Sequence, residues 1–163
     1  RPYELNRIEL RVCDLISDVD LLIAVTALVE LRILSLFRNP ESLDPLKASR
    51  LSPIELAELS DSNDREVACM SLDATIHRWI DGEKIVCRDW INELLSDLRP
   101  IAVDMNLLHK LIPIKELLDK GNLAMQWMND YFAGQSVQEV IQKSIAHMEA
   151  QELSLCNSYG LLG

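Results

Sequence analysis

The pattern of apolar and polar positions predicts a short strand at the start of the chain and helices after it. Apolar and charged residues alternate in "RPYELNRIELRVCDL", as in a strand with one apolar face and one ionic face. From Leu21 to Phe37 the apolar residues extend over the length of a helix, and Ser17 followed by Asp20 is typical of a helix N-terminus. We therefore expect a strand followed by a long helix.

Local signals predict the boundaries of the elements that follow. Ser52, Pro53 and Glu55 together are typical of a helix start, and we expect a short helix to about Leu59. After a break at "SDSND" a longer helix is expected, with its inner side formed by Val67, Met70, Leu72 or Ala74, and Ile76.

A hairpin and further helices are expected in the rest of the chain. Asp81-Gly82 between two short apolar runs favours a tight turn. Later boundaries are indicated by Asp89 (start), Pro100 (bend or end), Pro113 (start), Gly121 (end), Gly134 (end), and Ser136 with Glu139 (start of a last helix to about Leu153). The predicted fold class is mainly α, a helical bundle that follows one N-terminal β-strand.

Composition and charge narrow the function classes. The 163 residues, 48% hydrophobic and 26% charged, suit one globular domain. A formal net charge of −10 argues against nucleic acid and anionic membranes as partners. Glu30 and Arg32 interrupt the apolar run of the first helix, so we expect that helix to be buried in protein and not to span a membrane. No secretory signal is visible and the four cysteines form no CxxC pair, which favours a cytoplasmic location.

The ionic face of the strand is the strongest candidate for chemistry. Arg7, Glu9 and Arg11 share one side of the strand. Glu9 can supply an oxygen ligand to Mg²⁺, and the two guanidinium groups can hold phosphate oxygens. The alternative is an exposed edge strand with a charge ladder, in which each ion pair contributes about 0–1 kcal/mol. Spacing alone favours the ladder.

A family resemblance favours the metal–phosphate site over the charge ladder. "RPYELNRIELRVCDLISD", "LDPL", "LSPIEL" and "DGEKIVCRDWINEL" resemble the C-terminal part of the cyanobacterial-type glutamate–cysteine ligases, which belong to the carboxylate–amine ligases of the glutamine-synthetase-like superfamily. The resemblance implies that ATP and Mg²⁺ are used to phosphorylate the side-chain carboxylate of glutamate. The amine of cysteine then attacks the acyl phosphate, and γ-glutamylcysteine forms.

The resemblance also implies roles for individual residues. Glu9 takes the metal-ligand position, and Arg11 takes the catalytic position that neutralises the transferring phosphoryl group. Arg7 matches the first arginine of the motif, close to nucleotide phosphate. In the family this strand belongs to a larger antiparallel sheet, whose other strands carry further metal-binding glutamates.

Those other strands are not in this sequence, and the chain begins at Arg1 and not at Met. We therefore expect residues 1–163 to be a single C-terminal fragment, with the active-site strand and turn in 1–16 and a helical region in 17–163. Such a fragment is expected to be inactive alone. Its expected partners are glutamate, cysteine and the missing N-terminal sheet of the same protein, and the unprotected strand edge also allows a homodimer.

A non-enzymatic role remains the alternative hypothesis. In that case the helix from Leu21 to Phe37 would dock a partner protein. Cys13 lies on the same strand face as the ionic residues and is open to a redox role, although a small buried residue is the simpler interpretation. His77, His109 and His147 are scattered without metal-ligand spacing and are expected to be ordinary surface or packed residues.

Overall fold

Helices form most of the chain that the computed structural model describes, residues 16–158. This confirms the mainly α fold class, while the predicted N-terminal strand lies outside the described residues. The elements are α1 (Val19–Arg38), α2 (Pro40–Leu43), α3 (Pro45–Ala48), α4 (Pro53–Met70), β1 (Thr75–His77), β2 (Lys84–Val86), α5 (Cys87–Asp104), α6 (Ile112–Lys120), α7 (Leu123–Phe132) and α8 (Val137–Ser158), with 3₁₀ turns at Ser71–Asp73 and Leu108–Leu111.

Helix α1 is the centre of the main core. Its buried residues Ala24, Ala27 and Leu31 recur at spacings of three and four, and this stripe packs against α5 and α6. Leu31 and Leu98 are the largest fully buried side chains of the described residues. The prediction that this helix is buried in protein is confirmed for that face, and within residues 16–158 no helix is long and apolar enough to cross a membrane.

The start of α1 differs from the prediction by one residue. Asp18, and not Ser17, is the N-cap, and its side chain accepts a hydrogen bond from the Leu21 amide at 2.8 Å. A carboxylate is favoured in this position because it also faces the positive end of the helix dipole.

Helix α4 is continuous, so the predicted break at "SDSND" is wrong. The predicted start is confirmed, since Ser52 and Glu55 form a reciprocal capping box. Asn63 explains why the helix continues, because its side chain accepts a hydrogen bond from the His77 amide and donates one to the His77 carbonyl, both at 2.8 Å. Asn63 thus pairs with β1 as a neighbouring strand would, and this tertiary contact outweighs the weak helix propensity of the segment.

The second half of the predicted α4 region is also corrected. The helix ends at Met70, where Ser71 adopts a φ of 54°. Leu72 therefore lies in the 3₁₀ turn and Ile76 in β1, where both are buried, while Met70 is exposed. The prediction that these residues form core is confirmed for Leu72 and Ile76. The prediction of a single helix is wrong, because the residues belong to α4, the 3₁₀ turn and β1.

We expect Asn63→Ala to lower the free energy of unfolding by about 1–3 kcal/mol, because the backbone N–H and C=O of His77 lose their partner. Ser60→Ala is the matched control, since Ser60 is an exposed residue of the same helix. Urea unfolding measures both variants. An Asn63→Ala protein as stable as the Ser60→Ala protein would contradict this role.

The Asp81-Gly82 turn is confirmed. Strands β1 and β2 pair antiparallel, with Ile76 opposite Ile85. Gly82 has a φ of 78°, a conformation that side chains other than glycine rarely adopt. Ile76 and Ile85 are buried with Cys87 in a small second core beside α5.

The helix ends that were predicted from Gly121 and Gly134 are confirmed, as are the helix starts at Pro113 and at the capping box of Ser136 with Glu139. Of the two alternatives predicted for Pro100, the helix end is wrong, because α5 continues through Pro100 to Asp104. Leu98 and Ile101 are buried on either side of Pro100, and their packing holds the helix together across the missing hydrogen bond.

Candidate functional site

The predicted catalytic, nucleotide-binding and metal-binding residues precede the described part of the chain. Arg7, Glu9 and Arg11 lie outside residues 16–158, as does Cys13. Their roles therefore stay predictions. What the structure describes is the region into which this segment leads, beginning with the N-terminus of α1.

The N-terminus of α1 is held by the last helix of the chain. His147 Nε2 lies 3.3 Å from Asp18 Oδ2, and the Val19 amide donates to Gln151 Oε1 at 3.3 Å. With the bond from Leu21, Asp18 is therefore fixed from its own helix and from α8. No local pattern predicts this junction, because Asp18 and His147 are separated by most of the chain.

The junction favours the ionised form of Asp18. Partial burial acts to raise the pKa of the carboxyl group, but hydrogen bonds from the Leu21 amide, His147 and Gln151 outweigh it. The pKa of Asp18 therefore lies below its ordinary value. These contacts engage the carboxylate and anchor the start of α1, which follows the predicted active-site segment.

We expect Asp18→Asn to be less stable than the parent chain at neutral pH by about 1 kcal/mol or less, since the charge is partly exposed. Asn keeps the N-cap but loses the charge. Because the folded pKa is depressed, the stabilisation is present above the ordinary pKa of Asp and is lost as pH falls through the folded value.

Denaturant unfolding between pH 7 and pH 3 measures this difference. The gap between the two proteins is expected to close at the acidic end. Asp20→Asn, in the same first turn, is the matched control. A gap that stays constant or widens on acidification contradicts the assignment.

The described residues do not form a cation site. Within residues 16–158 no three His, Cys, Asp or Glu side chains come together in an arrangement that could hold a metal ion. The prediction of a Mg²⁺ ligand thus rests on Glu9 alone.

One concave surface of the described chain is a groove between α5 and α6. Its volume is about 680 Å³, and the 3₁₀ turn at 108–111 contributes to its lining. Leu95, Ala102 and Leu111 form an apolar floor, and these residues are buried. The basic side chains at its edge belong to Arg99, His109 and Lys115.

The groove differs in charge from the protein as a whole. The chain carries 26 acidic against 16 Lys and Arg residues, yet none of the described lining residues has a carboxylate. Neither Arg99 nor Lys115 forms an ion pair with another described residue. The groove, termed the basic groove below, therefore suits an anionic ligand that also carries apolar groups. Sequence reasoning missed it, because its lining comes from three separate elements.

Three cysteines lie in the described region. Cys69, Cys87 and Cys156 are free thiols. Burial raises the pKa of the Cys87 thiol, and the nearby charge of Arg88 opposes this effect only in part. A raised pKa lowers the thiolate fraction, so Cys87 is a structural residue of the second core.

Comparison with known proteins identifies one family. The model of Glutamate-cysteine ligase family 2 (GCS2) matches residues 1–150. This match spans the segment with Arg7, Glu9 and Arg11 and extends into α8. No curated protein and no solved structure matches the chain.

Proposed function

Because the chain belongs to glutamate-cysteine ligase family 2, we propose that it is the C-terminal part of an ATP-dependent ligase that joins glutamate to cysteine. The observation that carries the proposal is the family match over residues 1–150, since this range includes the whole Arg7–Glu9–Arg11 motif. The cyanobacterial-type resemblance of the motif segment favours cysteine as the amine substrate. A cytoplasmic location is part of the same proposal.

The proposed reaction has two steps that balance. An oxygen of the glutamate side-chain carboxylate attacks the γ-phosphorus of ATP, and ADP leaves, which gives γ-glutamyl phosphate. The amine of cysteine then attacks the acyl carbon, inorganic phosphate leaves, and the nitrogen loses a proton. The products are γ-glutamylcysteine, ADP and phosphate.

Two arginines suit the first step. Phosphoryl transfer depends mainly on positioning and on neutralising the charge of the phosphate oxygens. We propose that Arg11 contacts the transferred phosphoryl group and that Arg7 holds nucleotide phosphate, because planar guanidinium groups bind phosphate oxygens in pairs. Glu9 between them is the proposed Mg²⁺ ligand, and the bound ion would neutralise further phosphate charge.

The described helices are proposed to support this segment. Asp18 follows Arg11 closely along the chain and is anchored to both α1 and α8. The proposed active-site strand would therefore be connected to a part of the helical core that is held in place. A single carboxylate holds Mg²⁺ poorly, so we propose that further glutamates come from strands of a longer polypeptide and that the 163-residue chain alone is inactive.

The test is product formation from glutamate, cysteine, ATP and Mg²⁺, followed by chromatography of the thiol products. The complete ligase is expected to form γ-glutamylcysteine, and the 163-residue chain alone is not. Replacing cysteine by other amino acids tests the amine substrate. Absence of any γ-glutamyl product with the complete protein contradicts the proposed function.

Nucleotide binding gives a second readout for the chain alone. We expect isothermal titration with Mg-ATP to show no tight binding. A dissociation constant in the low micromolar range, on the order of −8 kcal/mol of binding free energy, would overturn the proposal that the site needs residues beyond this chain.

A further inference from the structure

Helix α8 is long and hardly packed against its own chain. Of its residues Val137–Ser158, Val140 is the buried one. The inner side is held mainly by polar contacts. The Trp127 indole donates to Ser144 at 2.8 Å, Lys143 lies 2.6 Å from Asp130, and His147 meets Asp18.

The outer side of α8 is apolar and acidic. Ile141, Ile145 and Met148 follow one another at spacings of four and three, and their exposed fractions are 44%, 48% and 41%. Glu149 and Glu152 continue this face toward the C-terminal end, and both are exposed. A helix that leaves such a stripe in water is typical of one that has a partner.

The basic groove has the complementary character. Its floor is apolar, and Val103 and Ile112 at its sides expose 57% and 55% of their surface. Arg99 and Lys115 supply positive charge at the edges. A groove of this kind accepts the apolar stripe of an amphipathic helix, and its basic edges favour one that carries carboxylates.

We propose that the outer face of α8 of one copy of this chain docks in the basic groove of a second copy. The two surfaces are complementary, since Ile141, Ile145 and Met148 would meet the exposed apolar side chains of Val103 and Ile112, while Glu149 and Glu152 would meet the basic edges. In a two-fold arrangement, each α8 would stay bound to its own chain while its outer face occupies the groove of the other copy, which would give a closed dimer. The proposed occupant is a second copy because α8 of the chain itself combines exposed apolar side chains with carboxylates, the complement of the exposed apolar and basic side chains of the groove.

The test is a charge exchange between two variants of the 163-residue chain. Arg99→Glu with Lys115→Glu makes the groove acidic, and Glu149→Lys with Glu152→Lys makes the helix basic. Each double variant alone is expected to lose self-association by at least about a hundredfold in dissociation constant, because like charges then face each other. An equimolar mixture is expected to associate again, since both contacts become complementary.

Sedimentation velocity over a concentration series measures association, and circular dichroism confirms that each variant is folded. Lys110→Glu is the matched control, because Lys110 is exposed in the same 3₁₀ turn but does not line the groove. That variant is expected to associate as the parent does. A parent chain that is monomeric at all concentrations, or a mixture that does not associate, overturns the proposal. The proposal is also overturned if each double variant alone associates with the affinity of the parent.

Discussion

Replacing Arg11 by Ala in the complete ligase is expected to lower the rate of γ-glutamylcysteine formation by about 10³-fold or more, the effect typical of an arginine that stabilises a transferring phosphoryl group. Glu9→Gln is expected to lower it by about 10²-fold or more, since the amide keeps the shape of the side chain but loses the charge that holds Mg²⁺. Steady-state kinetics with saturating substrates measures both.

Unchanged melting temperatures distinguish a lost site from a lost fold. Arg65→Ala and Glu66→Gln are matched controls, because these exposed residues of α4 undergo the same chemical changes away from the motif. Both controls are expected to keep the parent rate. Full activity of the Glu9 and Arg11 variants would support the alternative hypothesis, in which the strand is a charge ladder and the chain an interaction module.

Leu98→Ala is expected to lower the free energy of unfolding by about 2–5 kcal/mol, the largest stability effect that we predict. The Leu98 side chain is 1% exposed and lies with Leu31 in the core that joins α1 to α5. Truncation removes apolar contacts and leaves a cavity, because the helices on both sides are fixed by other core residues. Urea unfolding with an unchanged m-value measures the loss.

Leu46→Ala is the control for this truncation, because the Leu46 side chain is 71% exposed and the chemical change is the same. Its effect is expected to stay within about 0.5 kcal/mol. Equal losses for the two variants would show that the core does not depend on the contact between α1 and α5.

The elements that the sequence predicted well are those with local chemical causes. A capping box needs only Ser52 and Glu55, and a tight turn needs only Asp81 and Gly82, so both can be identified within a few residues. The mainly α class follows from the same local signals.

The elements that the sequence did not predict depend on distant contacts. The continuity of α4 requires Asn63 to meet the backbone of His77, and the continuity of α5 through Pro100 requires burial against α1. The anchor of Asp18 by His147 joins opposite ends of the chain. No short pattern encodes such pairs, because each becomes a contact only after the helices have packed.

The candidate functional residues also include some that a local pattern predicts and some that only the packed structure brings together. The motif of Arg7, Glu9 and Arg11 could be identified because alternation places its side chains on one strand face and because the surrounding segment resembles a known family. The basic groove could not, since Arg99, His109 and Lys115 come from a helix, a 3₁₀ turn and a second helix. Their shared surface exists only in the packed structure.

The most direct test of the proposed ligase mechanism follows an oxygen atom. Glutamate labelled with ¹⁸O in its side-chain carboxylate is incubated with the complete ligase, cysteine, ATP and Mg²⁺, and the released phosphate is examined by mass spectrometry. If γ-glutamyl phosphate forms, one labelled oxygen per turnover leaves with inorganic phosphate. Phosphate without label, or label found in AMP, would contradict the account.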